Sequence, residues 1–102
     1  MVTTDDVQLV GPVLRGMDSE IVDAVIEAIE IDNPDSAVVV DDQCGYVRVG
    51  VEHRCRLSRG TLEEILGRSF PLSELEPVLS GFAGRVRGDD SEFVWYLQRG
   101  GD

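Results

Sequence analysis

Metal or thiol chemistry in this chain has to come from Cys44, His53 and Cys55, because the sequence holds two cysteines and one histidine. Cys44 and Cys55 are separated by ten residues with no CxxC pair. His53 and Cys55 are two potential ligands and Cys44 a third, but no second close ligand pair completes a tetrahedral site. Cys55 alternates with Leu57, while Arg54 and Arg56 fall on the opposite face, so Cys55 reads as a buried thiol. His53 has no partner in the sequence that would orient it as a general base. Two cysteines in a cytoplasmic chain are expected to stay reduced. A hydrolase triad lacks material, with a single histidine and no G-x-S-x-G. Gly81 to Gly88 matches neither a P-loop nor a dinucleotide-binding spacing. The carboxylates are abundant, yet abundance on an acidic surface is not a site. These residues do not add up to an enzyme, and no cofactor is expected.

The elements that would carry such groups are legible from periodicity. Val7 to Leu14 is apolar and β-branched around Gly11-Pro12, which predicts a short edge strand with a bend. Asp18 is the expected N-cap of a helix from Ser19 to Ile31, where Val22, Val25, Ile26 and Ile29 form one buried stripe. Glu20, Asp23, Glu27 and Glu30 lie on another face with no basic residue spaced to neutralise them. That face is either solvated or the docking face for a basic partner. Asn33-Pro34 ends the helix. Ala37–Val40 and Gly45–Val51 predict a hairpin across Asp41–Cys44, with Val47, Val49 and Val51 on one face and Tyr46 and Arg48 on the other. Arg54–Ser58 predicts another strand. Thr61-Leu62-Glu63-Glu64 and Ser73-Glu74-Leu75-Glu76 are capping-box patterns, each opening a short helix. Gly67 stops the first, and the second, containing Pro77, runs to Leu79 or Ser80. A closing hairpin pairs the strand from Val86 with Glu92–Gln98 across Gly88–Ser91.

The resulting order is strand, helix, hairpin, strand, two short helices, hairpin: a small single α+β domain with a mainly antiparallel sheet and three helices. The domain is expected over residues 7–98, with a disordered N-terminal tail at 1–6 and a C-terminal tail at 99–102. At 102 residues the chain is long enough for one real core. Net charge is −11, from 20 acidic residues against nine arginines. That balance argues against nucleic-acid and anionic-membrane surfaces, which need clustered positive charge. No apolar run approaches a membrane span, and the N-terminus carries no signal-peptide pattern, so the cytoplasm is the expected location.

Gly16-Met17-Asp18-Ser19, ahead of an acidic helix, is similar to the attachment turn of acyl carrier proteins. Those are all-helical, however, and Glu20 stands where they place Leu. A longer series of segments carries a different resemblance: VGPVLR (Val10–Arg15), EIDNP (Glu30–Pro34), YVRV (Tyr46–Val49), TLEEILGRSF (Thr61–Phe70) and SELEPVLSGFAGRV (Ser73–Val86). In this order and spacing they resemble the effector (coupling or regulatory) proteins of soluble multicomponent diiron monooxygenases, closest to the toluene and alkene monooxygenase branch. The resemblance implies the monooxygenase regulatory protein fold and a cofactor-free protein, monomeric when free. Its implied partner is the large subunit of a diiron hydroxylase, bound in a transient complex above the diiron centre. There it would tune oxygen activation, substrate access and coupling.

The resemblance also implies a docking position at the turn after the third helix, here Ser80, Gly81, Phe82, Ala83, Gly84 and Arg85. Gly-Phe stands where the methane and phenol branches carry small hydroxyl residues. The competing reading makes Phe82 core and the glycines helix-stop chemistry. Asn33 and Pro34 are further candidate contacts, with plain helix termination as the alternative. A function from another class stays open beside the effector reading: a small-molecule-binding α+β module that regulates some other enzyme.

Overall fold

The β-branched runs pair into two sheets in the computed structural model, which describes residues 9–16, 19–43 and 45–97. Among these residues lie β1 (Leu9–Arg15), β2 (Val38–Asp42), β3 (Tyr46–Glu52), β4 (Arg54–Ser58), β5 (Leu79–Ala83), β6 (Arg85–Gly88) and β7 (Glu92–Tyr96). The helices are α1 (Ser19–Asp32), α2 (Arg59–Leu66) and a 3-10 helix over Leu72–Val78. A four-stranded sheet has the order β2-β3-β1-β5 and a three-stranded sheet the order β4-β7-β6, with every pairing antiparallel. The expected α+β class, three helices and antiparallel pairing hold. Asp18, Cys44, Val7, Gln98 and the expected tails at 1–6 and 99–102 lie outside the described residues.

Two corners join the sheets. β3 passes into β4 through the single residue His53, at φ 68, and β5 passes into β6 through the single residue Gly84, at φ 90. One left-handed residue redirects an extended chain sharply, so each strand leaves one sheet and enters the other without a loop. His53 is the one non-glycine residue with positive φ among the described residues, a conformation that costs roughly 1–2 kcal/mol without glycine. The end of β7 braces both corners. Leu97 N–H donates to the His53 carbonyl at 3.3 Å, and the Tyr96 carbonyl lies 2.8 Å from where a Cβ on Gly84 would stand.

Three expectations about local structure need correction. β1 is not an edge strand but lies between β3 and β5. Proline is tolerated there because Gly11 and Pro12 pass β3 unpaired, while facing Ala83 and Phe82 on β5. The third helix does not reach Leu79 or Ser80. It is a 3-10 helix preceded by Pro71, with no side-chain cap, and β5 begins at Leu79. Pro77 sits inside it, and the proposed Ser73 capping box is not formed. The N-cap of α2 is Ser58 rather than Thr61: the Ser58 hydroxyl accepts from Thr61 N–H at 3.3 Å, so Thr61 is already the third helical residue. Gly67 stops α2 as expected, in the left-handed region, with its N–H on the Glu63 carbonyl.

The core forms where α1 covers the inner faces of both sheets. Val22, Val25 and Ile29 are buried on the predicted stripe, joined by Ile21, Ala24 and Ala28. They meet Val10, Leu14 and Val49 from the larger sheet and Cys55, Leu57 and Trp95 from the smaller. Each large side chain fully buried here contributes on the order of 2–3 kcal/mol from the apolar area withdrawn from water.

The last turn of α1 is tied to the smaller sheet by two polar residues. Asp32 accepts from Ser58 N–H at 2.7 Å, from the Thr61 hydroxyl at 2.7 Å and from the Ser58 hydroxyl at 3.3 Å. A carboxylate suits the N-terminus of α2, where unpaired amides face it. The Asn33 amide donates to the Ile29 carbonyl at 2.7 Å and to the Arg56 carbonyl at 2.8 Å, while its oxygen accepts from Arg56 N–H at 3.0 Å. Replacing Asp32 with Ala should lower unfolding stability by about 2–3 kcal/mol, the cost of stranding these charge-assisted donors. Asn there should recover part of the loss. Urea denaturation of both variants measures it, and an Ala variant within 0.5 kcal/mol of wild type, roughly the size of an ordinary surface change, would contradict the role given to Asp32.

Candidate functional site

SGFAGR does not form a turn after a helix; it runs along one sheet edge and around a corner. Ser80, Gly81, Phe82 and Ala83 belong to β5, which edges the larger sheet, Gly84 is the corner, and Arg85 opens β6 on the smaller sheet. Phe82 is 49% exposed, which removes the reading of it as a core residue. Ser80, Ala83 and Arg85 are exposed as well, and Gly81 is half-buried.

The two glycines of this segment differ in kind. A Cβ on Gly84 would stand 2.6 Å from Val10 Cγ1 and 2.8 Å from the Tyr96 carbonyl oxygen, in addition to the strained φ. A Cβ on Gly81 meets nothing within 4 Å. Gly84 is therefore a structural requirement that aims its neighbours, and Gly81 leaves open backbone toward solvent.

Phe82, Gly84, Arg85, Val86 and Tyr96 line one open groove of about 340 Å³ along the seam between the two sheet edges. Val86 and Tyr96 were not among the residues singled out in the sequence. Their signal was available only as alternation in two strands, and what brings them to Phe82 is the corner. Val86 is 38% exposed.

Asn33 and Pro34 lie elsewhere, beside β4 at the other edge of the smaller sheet. The Asn33 side chain is committed to Ile29 and Arg56, so it serves as a helix stop and a sheet tie. Pro34 is exposed and lines a shallow polar depression with Asp35, Glu52 and Arg54. The structure does not merge this pair with the Phe82 groove.

The chemistry-bearing residues do not converge. Cys55 is fully buried, and its thiol is pushed up to about 12, chiefly by burial and secondarily by the nearby Asp32 charge. His53 is exposed at its corner. Among the described residues, no group of three or more His, Cys, Asp or Glu is placed to hold a metal ion. On the outer face of the larger sheet, Leu9, Val39, Gly50 and Ala83 border a further depression of about 220 Å³. That falls below the roughly 300–1,000 Å³ of small-molecule sites. Among the described residues, no helix is long and apolar enough to cross a membrane.

Residues 8–96 match the model of the MmoB/DmpM family. The chain is 46% identical over 98 residues to the effector subunit of the alkene monooxygenase system of Xanthobacter autotrophicus (strain ATCC BAA-1158 / Py2), covering 94% of this chain and 95% of that one. It is 37% identical over 70 residues to DmpM, the stimulatory component of phenol 2-monooxygenase of Pseudomonas sp. (strain CF600), covering 69% and 76% respectively. A chain in the structure of a phenol hydroxylase–regulatory protein complex superposes with a TM-score of 0.75 at 32% identity, covering 89% of this chain and 100% of that one. The soluble methane monooxygenase regulatory protein B shares the fold, with a TM-score of 0.65 at 23% identity, over 99% of this chain and 72% of that one.

Two measurements check the site's geometry. Gly84→Ala should lose about 2 kcal/mol or more in denaturant unfolding, whereas Gly81→Ala should stay within about 1 kcal/mol of wild type; equal losses would refute the distinction. In a thiol titration of the native protein near pH 8, Cys55 should stay unreactive and appear only on unfolding, since reaction needs the thiolate. Two fast-reacting thiols in the native state would contradict its burial.

Proposed function

The chain belongs to the MmoB/DmpM family, and from that premise we propose that it is the non-catalytic effector of a soluble multicomponent diiron monooxygenase acting on an aromatic or alkene substrate. It binds the hydroxylase component and tunes oxygen activation, substrate access and the coupling of reductant use to product. The observation that carries this reading is the likeness to an alkene monooxygenase effector subunit across nearly the whole of both chains.

The physics of such a role is differential binding. An effector shifts its partner only as far as it prefers one hydroxylase conformation over another, typically about 1–3 kcal/mol. What it needs is a rigid surface with anchors, and the seam between the sheets supplies one. Phe82 is the apolar anchor, Gly81 permits close approach of a partner helix, and Ser80, Ala83 and Arg85 flank them. Gly84 acts indirectly, as the corner that aims Phe82 and Arg85. Pro34 is a second, separate candidate contact, and Asn33 positions it. The partner is the hydroxylase large subunit, bound transiently across an interface of about 1,600 Å² in total. Free, the protein is a monomer of the cytoplasm, with one domain over 7–98 and tails at 1–6 and 99–102. The small-molecule alternative finds little support: two depressions hold about 220 Å³ each, and the Phe82 groove of about 340 Å³ is an open surface channel rather than an enclosing cavity.

The test is a titration of the chain into purified hydroxylase with its electron-transfer partners, following product formation and oxygen consumed per product. A flat response would end the effector reading. Phe82→Ala should weaken the apparent affinity at least about tenfold, near 1.4 kcal/mol, while its melting temperature moves by no more than about 2 °C. An unchanged titration curve would remove Phe82 from the interface.

A further inference from the structure

The smaller sheet turns outward a face whose charge is opposite to that of the molecule. β7 lies between β4 and β6. The register sets Arg54 and Arg85 on either side of Tyr96, and Arg56 and Arg87 on either side of Val94. Directly opposed residues of antiparallel strands share a face, so the four arginines form two rows across one sheet. The alternating residues Cys55, Leu57 and Trp95 point into the core. All four arginines are exposed, yet Val94 between two of them is only 1% exposed. Arginine stems lying across the strand cover such a position while the guanidinium groups stay in water. The Arg87 guanidinium stands 6.0 Å from the centre of the Tyr96 ring.

Carboxylates border this cluster, Asp35 and Glu52 beside Arg54 and Asp89 near Arg87, but they pair few of its guanidinium groups directly. Arg56 pairs with Glu92, but among the described residues Arg54, Arg85 and Arg87 form no ion pair. A chain of net charge −11 has thus gathered four of its nine basic residues on one face. Like charges gathered on one face repel, which offsets part of what the sheet gains from stems packed over Val94. The face is continuous with the Phe82 groove, since Arg85 and Tyr96 belong to both.

We propose that this arginine face docks an acidic protein surface. In the assembly argued above its occupant is an acidic segment of the hydroxylase, an assignment that rests on the effector reading. Guanidinium groups in rows match carboxylates two oxygens at a time, which fixes orientation as well as charge. A compact acidic patch fits the observed distribution better than a nucleic acid. An extended polyanion would run past the arginines onto the carboxylates that border them, Asp35 and Glu52 beside Arg54 and Asp89 near Arg87. Docking here would place the apolar anchor and the charged contact on one continuous surface.

The deciding experiment compares wild type with an Arg54→Glu/Arg85→Glu/Arg87→Glu variant and with the corresponding triple Lys variant, all checked for melting temperature. In stopped-flow association with hydroxylase at low salt, the Glu variant should be slower by about tenfold or more. The Lys variant should stay close to wild type, and the difference should shrink at high salt. Equal low-salt rates for wild type and the Glu variant would overturn the proposal while leaving the effector reading intact. A second arm needs no hydroxylase: a poly-L-glutamate peptide titrated into the labelled protein should shift the side-chain resonances of Arg54, Arg85 and Arg87. If wild type fails to bind hydroxylase, the effector reading falls and this arm still decides the face. Absence of those shifts would overturn the proposal, as would tighter binding of a single-stranded DNA oligonucleotide of matched charge at the same residues.

Discussion

Two residues in the left-handed conformation, His53 and Gly84, decide the shape of this protein. Each lets an extended chain leave the four-stranded sheet and enter the three-stranded one without a loop. Because β7 seals against both corners, the two sheets are held at a fixed relation, and α1 has one continuous apolar surface to cover. The same corner at Gly84 leaves Phe82 on one sheet edge and throws Arg85 onto the next. Moving the corner by one residue would exchange which side chains face the core, since strand side chains alternate with a period of two.

The second constraint is the polar tie at the end of α1. Asp32 stands at the C-terminus of one helix, where a carboxylate is unfavourable, and at the N-terminus of another, where it is favourable. Its three accepted hydrogen bonds come from Ser58 and Thr61, so the unfavourable end is offset by the favourable one. Asn33 adds a bridge from the last turn of α1 to the backbone of Arg56. A residue pair that reads in sequence as plain helix termination thereby fixes the helix against the smaller sheet, and through it holds β4 in register.

For an effector, this architecture matters more than any single reactive group. The titratable residues are spread over the surface, and the cysteine described is buried and inert. The fold leaves an open seam between two sheet edges, with Phe82 exposed to solvent and the arginine rows beside it. The molecule carries a net charge of −11, against which the arginine face stands as a local patch of opposite sign.

Much of this was determined by sequence alone. The α1 stripe, the Val47-Val49-Val51 face, the buried Cys55, the Gly67 stop and the closing hairpin all follow from local periodicity and turn chemistry. Those signals act over a few residues, and the fold obeys them. The order of segments from Val10 to Val86 also carried the resemblance that the comparisons bear out. Tertiary structure decided what sequence could not. SGFA became a strand because β1 offered an edge to pair with, and a run of small residues has no periodicity of its own to announce that. Pro12 sits in an interior strand because its neighbours on β3 leave it unpaired. The arginine face exists only because β7 lies between β4 and β6, bringing together two pairs of residues far apart in the chain. Strand order is set by which edges meet across the whole core, a long-range choice that no local pattern encodes.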